Sequence, residues 1–264
     1  MPYAEIDKLS LYYEICGTGP PLVLIAGMTA DSRSWHPLLD RFSSSFKTVV
    51  LDNRGSGRTR TPDTSFSIRQ MADDTVRLLD ILNIEQAHII GHSMGGYIAQ
   101  ELAINYPGRV DKLVLASTAA ATSERNKTLF HNMFEQGERG MDFELWFRNF
   151  LFWILTPERF DNTEFIGAVL HYAVDDPHPQ SLAGLRRQIE AVNGHDTRMR
   201  LRNITAKTLV LVGEKDILAR PGDVEMLCRE IPGALPLKCL SGSAHAVHME
   251  NPGAFATTAM EFLS

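Results

Sequence analysis

The chain has 264 residues, 44% of them hydrophobic, enough to bury a large core as one domain with room for an insertion. Its formal charge of -6 argues against the basic face that a nucleic-acid or anionic-membrane surface would need. Met1-Pro2-Tyr3-Ala4-Glu5-Ile6-Asp7 lacks the basic start and apolar core of a signal peptide, and no apolar run approaches the roughly 18 residues that cross a bilayer, so the expected location is cytoplasmic.

Tyr3–Ile6 and Leu9–Ile15 alternate in polarity and predict an antiparallel hairpin at one edge of a sheet. From Leu22 onward, short β-rich runs alternate with helical patterns, which predicts an α/β fold: a mostly parallel, doubly wound sheet with helices on both faces. The near-continuous apolar strands of such a sheet fall at Leu22–Ala26, Thr48–Leu51, Ala87–Ile90, Lys112–Ala116 and Thr208–Val212, with Leu235–Leu240 as the last. Gly27–Trp35 predicts a loop, and Pro37 falls early in the helix after it. Ser67-Ile68-Arg69-Gln70 has the form of a capping box, and Ile68, Met71, Ala72, Leu78, Leu79 and Leu82 follow at helical spacing. Asn251-Pro252 opens the last helix, with proline where a missing N–H costs nothing.

The alternation breaks near Ala119 and resumes near Thr208. No run between them reads as a strand, and the segment is rich in aromatic residues. It predicts a helical insertion over the carboxyl edge of the sheet. Most of its rings should pack the insertion's own core. A minority, with Trp146, Phe150 and Trp153 as candidates, should line an apolar pocket, because ligands of open α/β sheets bind beyond the strand carboxyl ends.

The chemistry centres on Gly91-His92-Ser93-Met94-Gly95, between the strand ending at Ile90 and a helix-like run from Gly96 to Ala103. A G-x-S-x-G turn between strand and helix exposes a serine hydroxyl at its tip, the glycines keeping side chains clear of the bend. Three fixed positions match by chance in roughly one chain in ten of this length, so context decides. A serine nucleophile needs a base, and the base needs an acid to hold its tautomer. Asp216, at the carboxyl end of Thr208–Val212, is the candidate acid, with Glu214 as its neighbour and competitor. His245, in a small-residue loop after the last strand, is the candidate base, with His248 as its rival. His92 flanks the nucleophile and is expected to point away from it. The two backbone donors of an oxyanion hole would be the N–H groups of Met94 and Met28.

These motifs, together with Ala26-Gly27-Met28-Thr29, Asp52-Asn53-Arg54-Gly55-Ser56-Gly57-Arg58-Thr59, Gly213-Glu214-Lys215-Asp216 and His245 followed by Glu250-Asn251-Pro252, resemble the α/β-hydrolase superfamily along nearly the whole chain. The likeness is to its serine-nucleophile, esterase- and lactonase-like branch with a helical cap. The resemblance implies a Ser93–His245–Asp216 triad and an eight-stranded sheet, with the core formed by residues 1–118 and 204–264 and a helical cap by 119–203. One departure is Ala26, where many relatives carry His before the glycine, a histidine that usually serves the loop's hydrogen bonding.

Other motifs fall short. Gly55-Ser56-Gly57 lacks the third glycine of a dinucleotide fingerprint, Arg60 standing in its place, and no zinc spacing is present, so no cofactor and no metal are implied. Cys16, Cys228 and Cys239 are scattered and fit reduced thiols better than a Cys228–Cys239 disulfide. The stretch holding Arg187, Arg198, Arg200 and Arg202 reads as a charge-laced linker, or alternatively as a dock for acyl carrier protein. The expected activity is hydrolysis of a small to medium acyl ester through an acyl-enzyme. The alternatives are an enol-lactone or carbon–carbon hydrolase, a carrier-linked methyl esterase, a small-amide hydrolase and a slow-turnover ligand receptor.

Overall fold

Strand β1 (Tyr3–Ile6) and strand β2 (Leu9–Cys16) pair antiparallel through a turn whose Asp7 has φ of 53°. After this hairpin the computed structural model, which describes residues 2–264, runs through β3 (Pro21–Ile25), α1 (His36–Ser43), β4 (Lys47–Leu51), α2 (Ile68–Ile81), β5 (Ala87–His92), α3 (Met94–Asn105) and β6 (Val110–Ala116). Five helices follow: α4 (Glu124–Glu138), α5 (Phe143–Ile154), α6 (Pro157–Phe160), α7 (Thr163–Val174) and α8 (Leu182–Asn193). The alternation then resumes with β7 (Lys207–Gly213), α9 (Pro221–Glu230), β8 (Lys238–Leu240), α10 (Val247–Glu250) and α11 (Pro252–Leu263).

The described strands form one eight-stranded sheet in the order β1-β2-β4-β3-β5-β6-β7-β8. Pairing is antiparallel for β1–β2 and β2–β4 and parallel from there on. Because strand side chains alternate between faces, the central strands feed two cores. Val23, Ile25, Val49, Leu51 and Ile89 pack with α2, α3 and α9, whereas Leu22, Leu24, Val50, Ile90 and Val114 pack with α1 and α11. Each such side chain, fully buried, contributes about 1.5–3 kcal/mol of transfer free energy. Burial on both faces is why these strands read as continuous apolar runs.

Local signals account for most boundaries. Ser67 caps α2 by accepting the Gln70 N–H at 3.2 Å, and Asn251 caps α11 from Oδ1 to the Ala254 N–H at 3.3 Å. The last strand is shorter than its sequence suggests: β8 starts at Lys238, not at Leu235. Pro236 lacks the N–H that a ladder needs, and before it the pairing is an isolated bridge at Thr208, whose N–H donates to the Gly233 carbonyl at 3.0 Å and whose carbonyl accepts from the Leu235 N–H at 2.8 Å.

The five-helix insertion begins and ends at one place. Ala121 and Asp196 form an isolated antiparallel bridge, and the Thr197 N–H donates to the Ala120 carbonyl at 2.9 Å. Among the described residues no helix is long and apolar enough to cross a membrane.

Candidate active site

With β5 ending at His92 and α3 starting at Met94, Ser93 is the whole of the turn between them. Its φ of 53° and ψ of -117° lie outside the regions an L-residue favours, a conformation costing on the order of 1–3 kcal/mol. Neighbours hold it there. The Ser93 N–H donates to Ala116 O at 3.0 Å, and Ser93 O accepts from the Gly96 N–H and the Thr118 hydroxyl, both at 2.9 Å. The flanking glycines are required by close approach: a Cβ at Gly91 would lie 2.3 Å from the Gly95 carbonyl oxygen, and one at Gly95 2.1 Å from that of Ile25.

The loop after β8 brings His245 to this serine, and the loop after β7 brings Asp216 to the histidine. The Ser93 hydroxyl donates to His245 Nε2 at 2.9 Å, and His245 Nδ1–H donates to Asp216 Oδ2 at 2.9 Å. Asp216 Oδ1 also accepts the N–H groups of Leu218 and Ala219, each at 2.8 Å. Burial alone would raise the Asp216 carboxyl, but the His245 ring and these two amides outweigh it and hold its pKa below the ordinary value. The acid therefore stays ionised against the imidazole. Met28 and Met94 line the same cavity, and their N–H groups donate to no acceptor among the described residues.

The competing residues lie elsewhere. Glu214 accepts from the Ser241 hydroxyl at 2.8 Å and the Gly242 N–H at 3.2 Å, on the exposed side of its loop. His248 hydrogen-bonds to neither Ser93 nor Asp216; its ring is buried 4.7 Å from Trp35 and 4.4 Å from His92, centroid to centroid, and neither ring nitrogen has a partner. His92 makes no hydrogen bond to the Ser93 hydroxyl, and its Nε2–H donates to the His245 carbonyl at 2.8 Å. Burial pushes its pKa down to about 3, so the ring is neutral and ties the serine's strand to the histidine's loop.

A cavity of about 1040 Å³ opens beside Ser93, between the sheet and the inserted helices. Trp146 and Phe150 line it. Trp153 does not: it lies on the outer side of α5 in a smaller cleft with Asn132 and Gln136, under the Arg125 guanidinium at 5.2 Å. From α5 the cavity is lined by Phe143, Trp146, Phe147, Phe150, Leu151 and Ile154. Sequence reasoning also missed Tyr97, Thr122 and Met249, which come to the cavity from three different elements. Spacing within one element carries no signal of that convergence.

Residues 20–252 match the alpha/beta hydrolase fold family. The chain belongs to that family. It is similar to the protein named "Putative carbamate hydrolase RutD" of Azorhizobium caulinodans, with 31% identity over 97% of this chain and 95% of that one. Among solved structures it is similar to the enol-lactonase from Burkholderia xenovorans LB400, with 26% identity, a TM-score of 0.89 and 99% of each chain covered. It is also similar to a thermophilic esterase from Thermogutta terrifontis, with 25% identity, a TM-score of 0.85, and 97% of this chain and 93% of that one covered. The protein is a hydrolase.

In this hydrolase the loop with Ala26 in place of histidine is held by other groups. Asn53 Nδ2 donates to Ala26 O at 3.0 Å, Asp52 Oδ1 accepts the Ser32 N–H at 2.9 Å, and Asp31 Oδ1 accepts the Arg33 N–H at 2.9 Å. In the basic stretch, Arg187, Arg198 and Arg200 pair with Asp63, Asp196 and Glu101, so much of its positive charge is met within the chain. Cys16, Cys228 and Cys239 are free thiols.

Proposed function

We propose that this hydrolase cleaves carboxylic esters of small to medium apolar acids through an acyl-enzyme on Ser93. The observation that carries this reading is the continuous chain Ser93 Oγ, His245 Nε2, His245 Nδ1 and Asp216 Oδ2, both links at 2.9 Å, at the floor of an aromatic-lined cavity. Ser93 Oγ bonds to the ester carbonyl carbon while its proton passes to His245 Nε2. Asp216 keeps Nδ1 protonated and stabilises the imidazolium. The Met28 and Met94 N–H groups hold the oxyanion, each worth about 3–4 kcal/mol in the transition state. As the tetrahedral centre collapses, the C–O bond to the alcohol breaks and the alkoxide takes the proton from His245. Water then bonds to the acyl carbon while its proton passes to His245, the bond to Ser93 Oγ breaks, and His245 returns the proton to Oγ as the acid leaves.

Lactones are a narrower reading within the same chemistry, since a lactone is an internal ester. It is favoured by the near-complete structural overlap with an enol-lactonase. Steady-state hydrolysis of p-nitrophenyl esters from acetate to dodecanoate, with a lactone and a carbamate in parallel and Ser93→Ala as the blank, tests both. Serine-dependent release from the esters is expected, and the best chain length will measure the cavity. Serine-dependent turnover confined to the lactone would narrow the assignment, and none on any substrate would overturn it.

A further inference from the structure

Glu250 has no part in the acyl-transfer steps, yet its carboxylate is buried, the residue being 2% exposed. A buried charge is tolerated only where hydrogen bonds or a counter-charge compensate it. Its two oxygens serve two separate parts of the fold. Oε2 accepts the Ala244 N–H at 2.6 Å, on the residue before His245. Oε1 accepts the Thr156 N–H at 2.8 Å, on the residue that opens α6 in the helical insertion. Arg159 in α6 completes the set, with Nε 3.9 Å from Oε1 and Nη2 donating to the Glu250 carbonyl. On the other side of the histidine, the Ala246 N–H donates to Ile154 O at 2.9 Å. The backbone on both sides of His245 is therefore fastened to the α5–α6 junction, once directly and once through Glu250. The loop of Asp216 is fastened to α4 in a similar way: Arg125 Nη1 donates to Ile217 O and Asn126 Nδ2 to Leu218 O, both at 2.7 Å.

We propose that Glu250 is a positioning residue through which the α5–α6 junction of the cap sets the His245 imidazole against Ser93 and Asp216. This rests on the acyl-transfer reading above. Ile154 and Leu155 line the substrate cavity, and the next residue, Thr156, grips Glu250. The same short stretch that encloses the substrate thus aligns the proton relay.

Thr156→Pro is the most selective test. Thr156 has φ of -69°, and Leu155 before it has φ of -113° and ψ of 154°. Proline suits both backbone conformations, and its Cδ takes the place of the N–H that Oε1 accepts, forcing the carboxylate off this partner without adding or deleting charge. Thr156→Val keeps that N–H and loses only the hydroxyl. With p-nitrophenyl butyrate, Thr156→Pro is expected to lower kcat about tenfold or more, with KM changed less than about twofold. Thr156→Val should behave as wild type. Glu250→Gln should resemble Thr156→Pro, since a single amide oxygen cannot serve both N–H groups; should it not fold, Thr156→Pro decides.

Unchanged kcat in Thr156→Pro overturns the proposal, and so does an equal loss in Thr156→Val. Phosphonylation by p-nitrophenyl methylphosphonate separates this from the reading beneath it. There Ser93 Oγ bonds to phosphorus, p-nitrophenolate leaves and the hydroxyl proton goes to His245. Slower labelling of Thr156→Pro than of wild type supports the role of Glu250. Equal rates sink that role alone, and no serine labelling in wild type brings down the acyl-transfer reading itself.

Discussion

In the proposed acyl transfer the Ser93 hydroxyl is only as nucleophilic as the base that takes its proton, so Ser93 and His245 should fail together. Ser93→Ala and His245→Ala are each expected to lower kcat by about 10⁴–10⁶-fold, and the double variant by little more than either. Additive losses in kcat would mean that the two residues act in separate steps. These two residues and Asp216 were legible in the sequence because each follows a strand, in an order that only a few folds produce. What was not legible at this scale is what surrounds them. Nothing in Glu250-Asn251-Pro252 says that the carboxylate reaches back to Ala244 and across to Thr156. His245 and His248, three residues apart, could not be told apart by spacing alone; the fold buries His248 against Trp35 and leaves only His245 facing the serine.

Between elements, packing can reverse what local propensity favours. Gly184 lies within α8, where alanine would ordinarily stabilise a helix by about 1 kcal/mol. A Cβ there would stand 2.5 Å from the Gly55 carbonyl oxygen, the point where the insertion meets the loop after β4. Gly184→Ala is therefore expected to destabilise by about 1–3 kcal/mol. Gly167, in α7, has nothing within 4 Å of the same position, so Gly167→Ala should stabilise by about 1 kcal/mol. Thermal unfolding of the two variants checks both signs, and shifts in the same direction would discard the packing argument. Strands β3 to β7 were readable because burial on both faces leaves a long apolar run. The pocket was less so: Trp146 and Trp153 sit on one helix in similar apolar surroundings, and only the packing of α5 against α4 and α7 decides that Trp146 borders the cavity and Trp153 the outer cleft alone.

The stability of the whole molecule should depend on pH through its buried imidazoles. Burial holds His92 at about 3 and His195 at about 4, and it drives His248 well below its ordinary value, so all three fold neutral. In the unfolded chain each titrates near 6.5. Below that pH the unfolded state binds protons that the folded state refuses. Each ring then lowers stability by about 1.4 kcal/mol per pH unit until its folded pKa is reached. Urea unfolding should give a clearly lower midpoint at pH 5 than at pH 7. His248→Phe, which removes two unpartnered nitrogens from an aromatic nest, should flatten that dependence by one ring's share. An unchanged slope in that variant would mean that His248 takes up its proton in the folded state.

The bridge between Ala121 and Asp196 places the start and the end of the five inserted helices side by side. The sheet therefore sees the insertion as a single short gap, whatever is strung across it. Recombination at these two points could exchange one lid for another and trade substrate preference without disturbing strand order. Such a chimaera would fold before it worked, because the incoming lid must also bring an amide to Glu250.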